Sequence, residues 1–221
     1  MRTLALAFLA AVGVSTVPAL AGDLFPPSPS NPLAPWVRGA PGTTFNEWTF
    51  TTPTQSPEFS HSNPATAPGH ISNPDGSTWV PPGSVGSWNG NGVWSIPAGG
   101  FIDFLLPNFG PSSGPKYVYL QIKFAGALPG WGVTDPAGMP GTHWPGEPVV
   151  TPSPIGGGIS QWSDSLMFPY NPAFEVVHIF NPSAQDKCYL TQVVLDTICT
   201  PAPGTAALLA LGGLVATRRR R

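Results

Sequence analysis

Apolar and polar residues alternate with a period of two over much of this chain. The clearest run is residues 117–124, where Val118, Leu120, Ile122 and Phe124 interleave with Tyr117, Tyr119, Gln121 and Lys123. That spacing puts one face of a β-strand inward and the other outward. Residues 101–106 form the second clear strand, with Asp103 falling opposite Ile102, Phe104 and Leu106 and therefore on the outer side. The pattern predicts that these two strands pair antiparallel, Phe104 and Ile122 inward and Asp103 beside Gln121 or Lys123. From Thr44, Trp48, Phe50 and Thr52 share one side of another alternating run. Shorter strands are predicted at 77–80, 84–88, 92–96, 165–168, 173–180 and 188–199. Asn89-Gly90-Asn91-Gly92 reads as a hairpin turn, because Asn and Gly tolerate positive φ.

Between these runs the chain is rich in turn formers. Residues 53–76 carry Asn63-Pro64, Asn73-Pro74 and Asp75-Gly76 and read as loop. Residues 126–163 read as one long Gly/Pro-rich loop, a length more often functional than ordinary. No stretch of 22–200 shows a 3.6-residue apolar period, and no fixed-length repeat is present. About nine short strands with irregular connections predict an all-β fold, a single antiparallel β-sandwich of jelly-roll type.

The two ends are different in kind. Met1-Arg2-Thr3 is a positive leader, residues 4–14 an apolar core, and Ala19-Leu20-Ala21 a small-x-small cleavage site. Residues 1–21 are thus expected to be a signal peptide removed after Ala21. Residues 22–43 hold six prolines, which cannot donate to a sheet ladder, and are expected to be an extended lead-in to a domain spanning 44–200. At the far end, a Pro-Ala-Pro-Gly segment (Pro201 to Gly204) precedes an apolar run over 205–217 and four arginines, Arg218, Arg219, Arg220 and Arg221. The run would make a helix of roughly 20 Å, a marginal span against a hydrocarbon core of about 30 Å. The arginines favour the cytoplasmic side, leaving what precedes them outside.

This tail resembles the bacterial PEP-CTERM sorting signal, which joins a Pro-Glu-Pro-like motif, a short hydrophobic segment and a terminal arginine cluster. Here Pro201, Pro203, Gly204 and Arg218 to Arg221 carry the likeness, with Ala202 where the motif has Glu. The resemblance is confined to residues 201–221. It implies recognition by an exosortase-type processing enzyme, transient insertion in the inner membrane, and delivery to the cell surface or an exopolysaccharide matrix. It implies nothing about the activity of the cargo.

Composition sharpens this picture. Arg2 and the four terminal arginines make up five of the nine basic residues, so residues 22–200 keep four against all eleven acids, a net charge of −7. Nucleic acid is therefore not an expected partner. Gly and Pro are abundant (26 and 30 residues), which alone would suggest disorder, but 41% hydrophobic residues and eight tryptophans supply a core.

Catalytic signatures are missing: there is no Gly-x-Ser-x-Gly elbow, no phosphate-binding glycine loop and no His-Glu-x-x-His helix. The expectation is a non-catalytic protein, and no cofactor is implied. His61 and His70 are spaced for no familiar metal geometry. Asp135, His143 and Glu147 share the long loop, where carboxylates flanking an imidazole could hold a metal or exchange protons. Separate loop residues are the simpler reading. Trp131, Trp144 and Trp162 in that loop, with Tyr117 and Tyr119 on the outward face of their strand, could stack on sugar rings, although tryptophans that fill the core or pin the loop are the simpler reading. Extracellular polysaccharide is thus the alternative partner.

Cys188 and Cys199 are not expected to pair with each other. The ten residues between them contain no Gly, Pro or Asn and are rich in β-branched side chains. As one strand they would hold the two α-carbons roughly 36 Å apart, against the ~7 Å limit of a disulfide. Each thiol would then be available for an intermolecular link.

Overall fold

A computed structural model describes residues 26–52, 57, 59–63, 70–72, 86–89, 92–108, 114–143 and 151–200. The predicted strand at 77–80 lies outside these residues. So do both chain ends, with Ala19, Ala21, Pro201, Pro203, Gly204 and the arginines 218–221.

The described chain is all-β and antiparallel, without a helix. In order the strands are β1 (Thr43–Trp48), β2 (Phe59–Asn63), β3 (His70–Ser72), β4 (Ser87–Trp88), β5 (Trp94–Ile96) and β6 (Phe101–Pro107). They continue with β7 (Lys116–Gly126), β8 (Gly130–Thr134), β9 (Ser153–Gly156), β10 (Ile159–Phe168), β11 (Phe174–Phe180) and β12 (Cys188–Cys199). An eight-stranded sheet runs β2-β1-β12-β7-β10-β9, with β5 joined to β12 and β4 to β5. A four-stranded sheet runs β3-β6-β11-β8.

The alternation predicted the faces and missed the neighbours. Phe104 and Ile122 are both buried in the core, as expected. Yet β6 and β7 do not pair: β6 lies between β3 and β11, and β7 between β12 and β10, in different sheets. A period of two says which side chains face in; it carries no information about which strand lies alongside. Asp103 is accordingly opposite His178 of β11, away from Gln121 and Lys123. The segment 126–163 is not one loop either, since it contains β8, β9 and the first part of β10.

One hydrophobic cluster unites side chains of both sheets, among them Trp48, Leu120, Ile122, Val193 and Leu195 with Ile102, Phe104, Val177 and Ile179. The centre of the large sheet is β12, an unbroken twelve-residue strand flanked by β1 and β7, with a register shift between Leu190 and Gln192. Its β-branched, Gly-free sequence suits this two-sided burial.

The lead-in acts as a cover. Leu33, Ala34 and Trp36 are buried against Tyr119, and Tyr117 and Ile198 pack around them. Asn31 shapes the segment: its Oδ1 accepts from the Leu33 amide (3.0 Å), and its amide nitrogen donates to the Tyr119 hydroxyl (3.3 Å). Where the lead-in joins β1, a Cβ on Gly42 (φ +86°) would stand 2.5 Å from the Cys199 carbonyl oxygen. Only glycine fits both that angle and that approach.

Both cysteines are free, at opposite ends of β12. Contrary to the expected availability for links, both are buried, and burial pushes the Cys188 thiol up to about 12. Since the thiolate is the reactive form, native protein at pH 8 is expected to alkylate at Cys188 at least tenfold more slowly than denatured protein. Equal rates in a timed iodoacetamide labelling would refute its burial.

Candidate functional site

The candidate site is built where the edge of the small sheet meets β10 of the large one. In β8, Trp131 and Val133 point toward the core, so Gly130, Gly132 and Thr134 face outward with their register partners Phe180, His178 and Val176. In β10, Trp162, Asp164 and Leu166 share the core-facing side, opposite Ile122, Leu120 and Val118 of β7. Residues 140–142 stitch the two strands together. Gly141 N–H donates to the Val133 carbonyl (2.8 Å), and Thr142 exchanges backbone bonds with Met167 (2.9 and 2.7 Å). This connection delivers His143 to β10, where its Nδ1 lies 3.6 Å from Asp164 Oδ1.

The result is a groove of about 760 Å³. Trp131, Trp162, Asp164 and His143 line it together with Asp103, His178 and Phe180. The indole N–H of Trp131 donates to Asp164 Oδ2 (2.8 Å), and Asp164 Oδ1 accepts from the Ser165 amide (2.8 Å), which fixes both ring and carboxylate. Asp103 bonds His178 Nδ1, and the imidazole packs beside Phe180 of its own strand and Phe101 of β6, 5.6 and 4.8 Å between centroids. Phe180 packs over Gly130, where any side chain would collide with its ring, while space above Gly132 is open. Gly132 thus leaves part of the groove as bare backbone.

The predicted candidates separate into groups. Trp131 and Trp162 come together in the groove, with His143. Trp144 and Glu147 lie outside the described residues. The expected outward tyrosines do not join the tryptophans. Tyr119 is buried under the lead-in, and Tyr117 lines a separate apolar groove of about 520 Å³ with Trp36 and Ile198. The misplaced inference was that an outward-facing residue is exposed; here a Pro-rich segment covers that face. Asp135 serves its own turn, accepting from the Ala137 and Met139 amides (2.9 and 2.7 Å) and from the Tyr170 hydroxyl (2.5 Å). The Tyr170 bond, helped by the amides, holds the Asp135 carboxyl below its ordinary range. His143 faces Asp164 and not Asp135, and among the described residues no three His, Cys, Asp or Glu side chains are gathered to hold a metal. His61 and His70 fall on β2 and β3, in different sheets.

Asp164 escaped notice in the sequence, although its position two residues from both Trp162 and Leu166 puts it on their face. The pair Asp103–His178 escaped because it is made by register across β6 and β11, which no local pattern reveals. The arrangement offers apolar ring surface for stacking, with carboxylates and imidazoles to hydrogen-bond hydroxyl groups. Comparison with protein-family models and with curated proteins finds no match to this chain.

Proposed function

We propose that this chain is an exported bacterial surface or matrix protein, sorted through residues 201–221 and processed by an exosortase-type enzyme. On this reading its two sheets form a β-sandwich of jelly-roll type, whose groove binds extracellular polysaccharide without cleaving it. The observation that carries the binding reading is the convergence of Trp131, Trp162, Asp164 and His143 in one groove of about 760 Å³. A pyranose ring buries an apolar face against an indole while its hydroxyls remain bonded to polar groups at the rim. The groove carboxylates fix the polar rim in place for binding, Asp164 bonded to Trp131 and Ser165, Asp103 to His178.

The test is a glycan array on the purified protein, followed by calorimetry of its best ligand with Trp162→Ala and Trp131→Ala. Loss of one stacked ring is expected to weaken binding about tenfold, on the order of 1.4 kcal/mol. No bound glycan, or binding unchanged in both variants, would remove the groove from the account. Release of reducing sugar from a bound glycan would turn the reading from binding to hydrolysis.

A further inference from the structure

At the end of the core near the start of β7 lies a polar cluster that the groove does not use. Lys116, the first residue of β7, and Glu175 in β11 have side chains with 0% exposure. They belong to opposite sheets, and Asn108, directly after β6, sits between them. The Lys116 ammonium donates to Asn108 Oδ1, and the Asn108 amide nitrogen donates to Glu175 Oε2 and to the Pro172 carbonyl (2.7 Å). Lys116 Nζ is also 3.2 Å from Glu175 Oε1, yet that oxygen accepts no hydrogen bond of acceptable geometry among the described residues.

A buried ion pair persists only when its remaining donors and acceptors are satisfied. Here an ammonium with three donors has one aligned oxygen, Asn108 Oδ1, with Glu175 Oε1 and the Cys199 thiol close by. Transfer of a proton from Nζ to Glu175 removes both charges. Burial pushes the Glu175 carboxyl above its ordinary range, with Lys116 and Asn108 only partly opposing. What remains is a neutral amine whose nitrogen is hydrogen-bonded to a carboxamide oxygen, and hence adjacent to the carboxamide carbon. A carboxylic acid touches the leaving nitrogen.

We propose that Lys116 and Asn108 condense within the folded protein to an isopeptide bond, with Glu175 carrying the proton. The Nζ lone pair attacks Cγ of Asn108, forming the Nζ–Cγ bond. Glu175 gives its proton to Nδ2 and takes one from Nζ, so it ends as the acid it was. The Cγ–Nδ2 bond breaks and ammonia leaves. No oxidant, reductant or added group is consumed. The product is a neutral amide in place of a buried ammonium, and it ties the end of β6 in one sheet to the start of β7 in the other.

The experiment is a peptide map of the full chain, digested after denaturation. Trypsin cannot cleave after an acylated lysine, so cleavage between Lys116 and Tyr117 should be lost, and chymotryptic fragments holding Asn108 and Lys116 should be joined and lighter by one ammonia. Asn89-Gly90 can also lose ammonia by succinimide formation, so fragmentation must place the loss at the Asn108–Lys116 pair. Glu175→Gln and Asn108→Ala should restore tryptic cleavage at Lys116. Wild-type protein cleaved at Lys116, with both residues at unmodified mass, overturns the proposal whether or not the variants fold. A cross-link that persists in Glu175→Gln overturns the role given to Glu175.

Discussion

Trp48→Ala is expected to lower stability by about 3–5 kcal/mol, the range for emptying a buried large aromatic site. Trp48 ends β1 with 1% exposure, and its ring meets Phe104 of the other sheet at 4.6 Å between centroids and 61° between planes. The loss therefore falls on the contact between sheets as well as on the transfer of the indole from water. Urea unfolding followed by far-UV circular dichroism measures it without relying on the fluorescence of the deleted residue. A double-mutant cycle with Phe104→Leu should return a coupling of about 0.5–1.5 kcal/mol for the edge-to-face pair. A single-mutant loss below about 1 kcal/mol would mean that Trp48 is not buried as described.

Arg38→Ala should free the lead-in from the sheet it covers. The Arg38 guanidinium grips the Asp196 carboxylate through Nε (2.5 Å) and Nη2 and lies 4.0 Å above the Phe45 ring. Asp196 is fully buried, while Arg38 keeps 26% of its side chain exposed. Removing one partner of a wholly buried pair costs about 3–5 kcal/mol; partial exposure and solvent screening bring the expectation here to about 2–3 kcal/mol. Lysine at this position should recover little, since it lacks the planar fork and the stacking surface. Limited proteolysis gives the local readout: residues 26–42 should become cleavable at denaturant concentrations where the wild-type segment is protected. Equal protection in both proteins would show that Leu33 and Trp36 alone hold the cover.

These two cases mark what the amino-acid pattern discloses. Burial of Trp48, Phe104 and Ile122 was legible because alternation reports a face directly. The unbroken strand 188–199, and with it the separation of its two cysteines, was legible because that run has no turn former. Partnership was not legible, since strands β6 and β7 have equally good inward faces and only the whole topology places them in separate sheets. The role of the lead-in was hidden for a related reason. Prolines exclude a ladder, and Leu33, Trp36 and Arg38 acquire meaning only once Tyr119 and Asp196 lie beneath them. The groove was half legible: Trp131 and Trp162 stood out by residue type, whereas Asp164, Asp103 and His178 are ordinary residues made notable by register.

The pairing of Thr43 with Ile198 has a mechanical consequence. The chain enters β1 and leaves β12 at the same end of two antiparallel neighbours, so tension applied between the segments before Thr43 and after Cys199 pulls across their ladder. Hydrogen bonds of an antiparallel pair lie perpendicular to the strands, and a load at one shared end peels them one pair at a time, Thr43 from Ile198 first and Trp48 from Val193 last. Such a zipper yields at lower force than strands sheared along their length. The grip of Arg38 on Asp196, two residues in from that end, adds a side-chain fastening to the ladder the force would open.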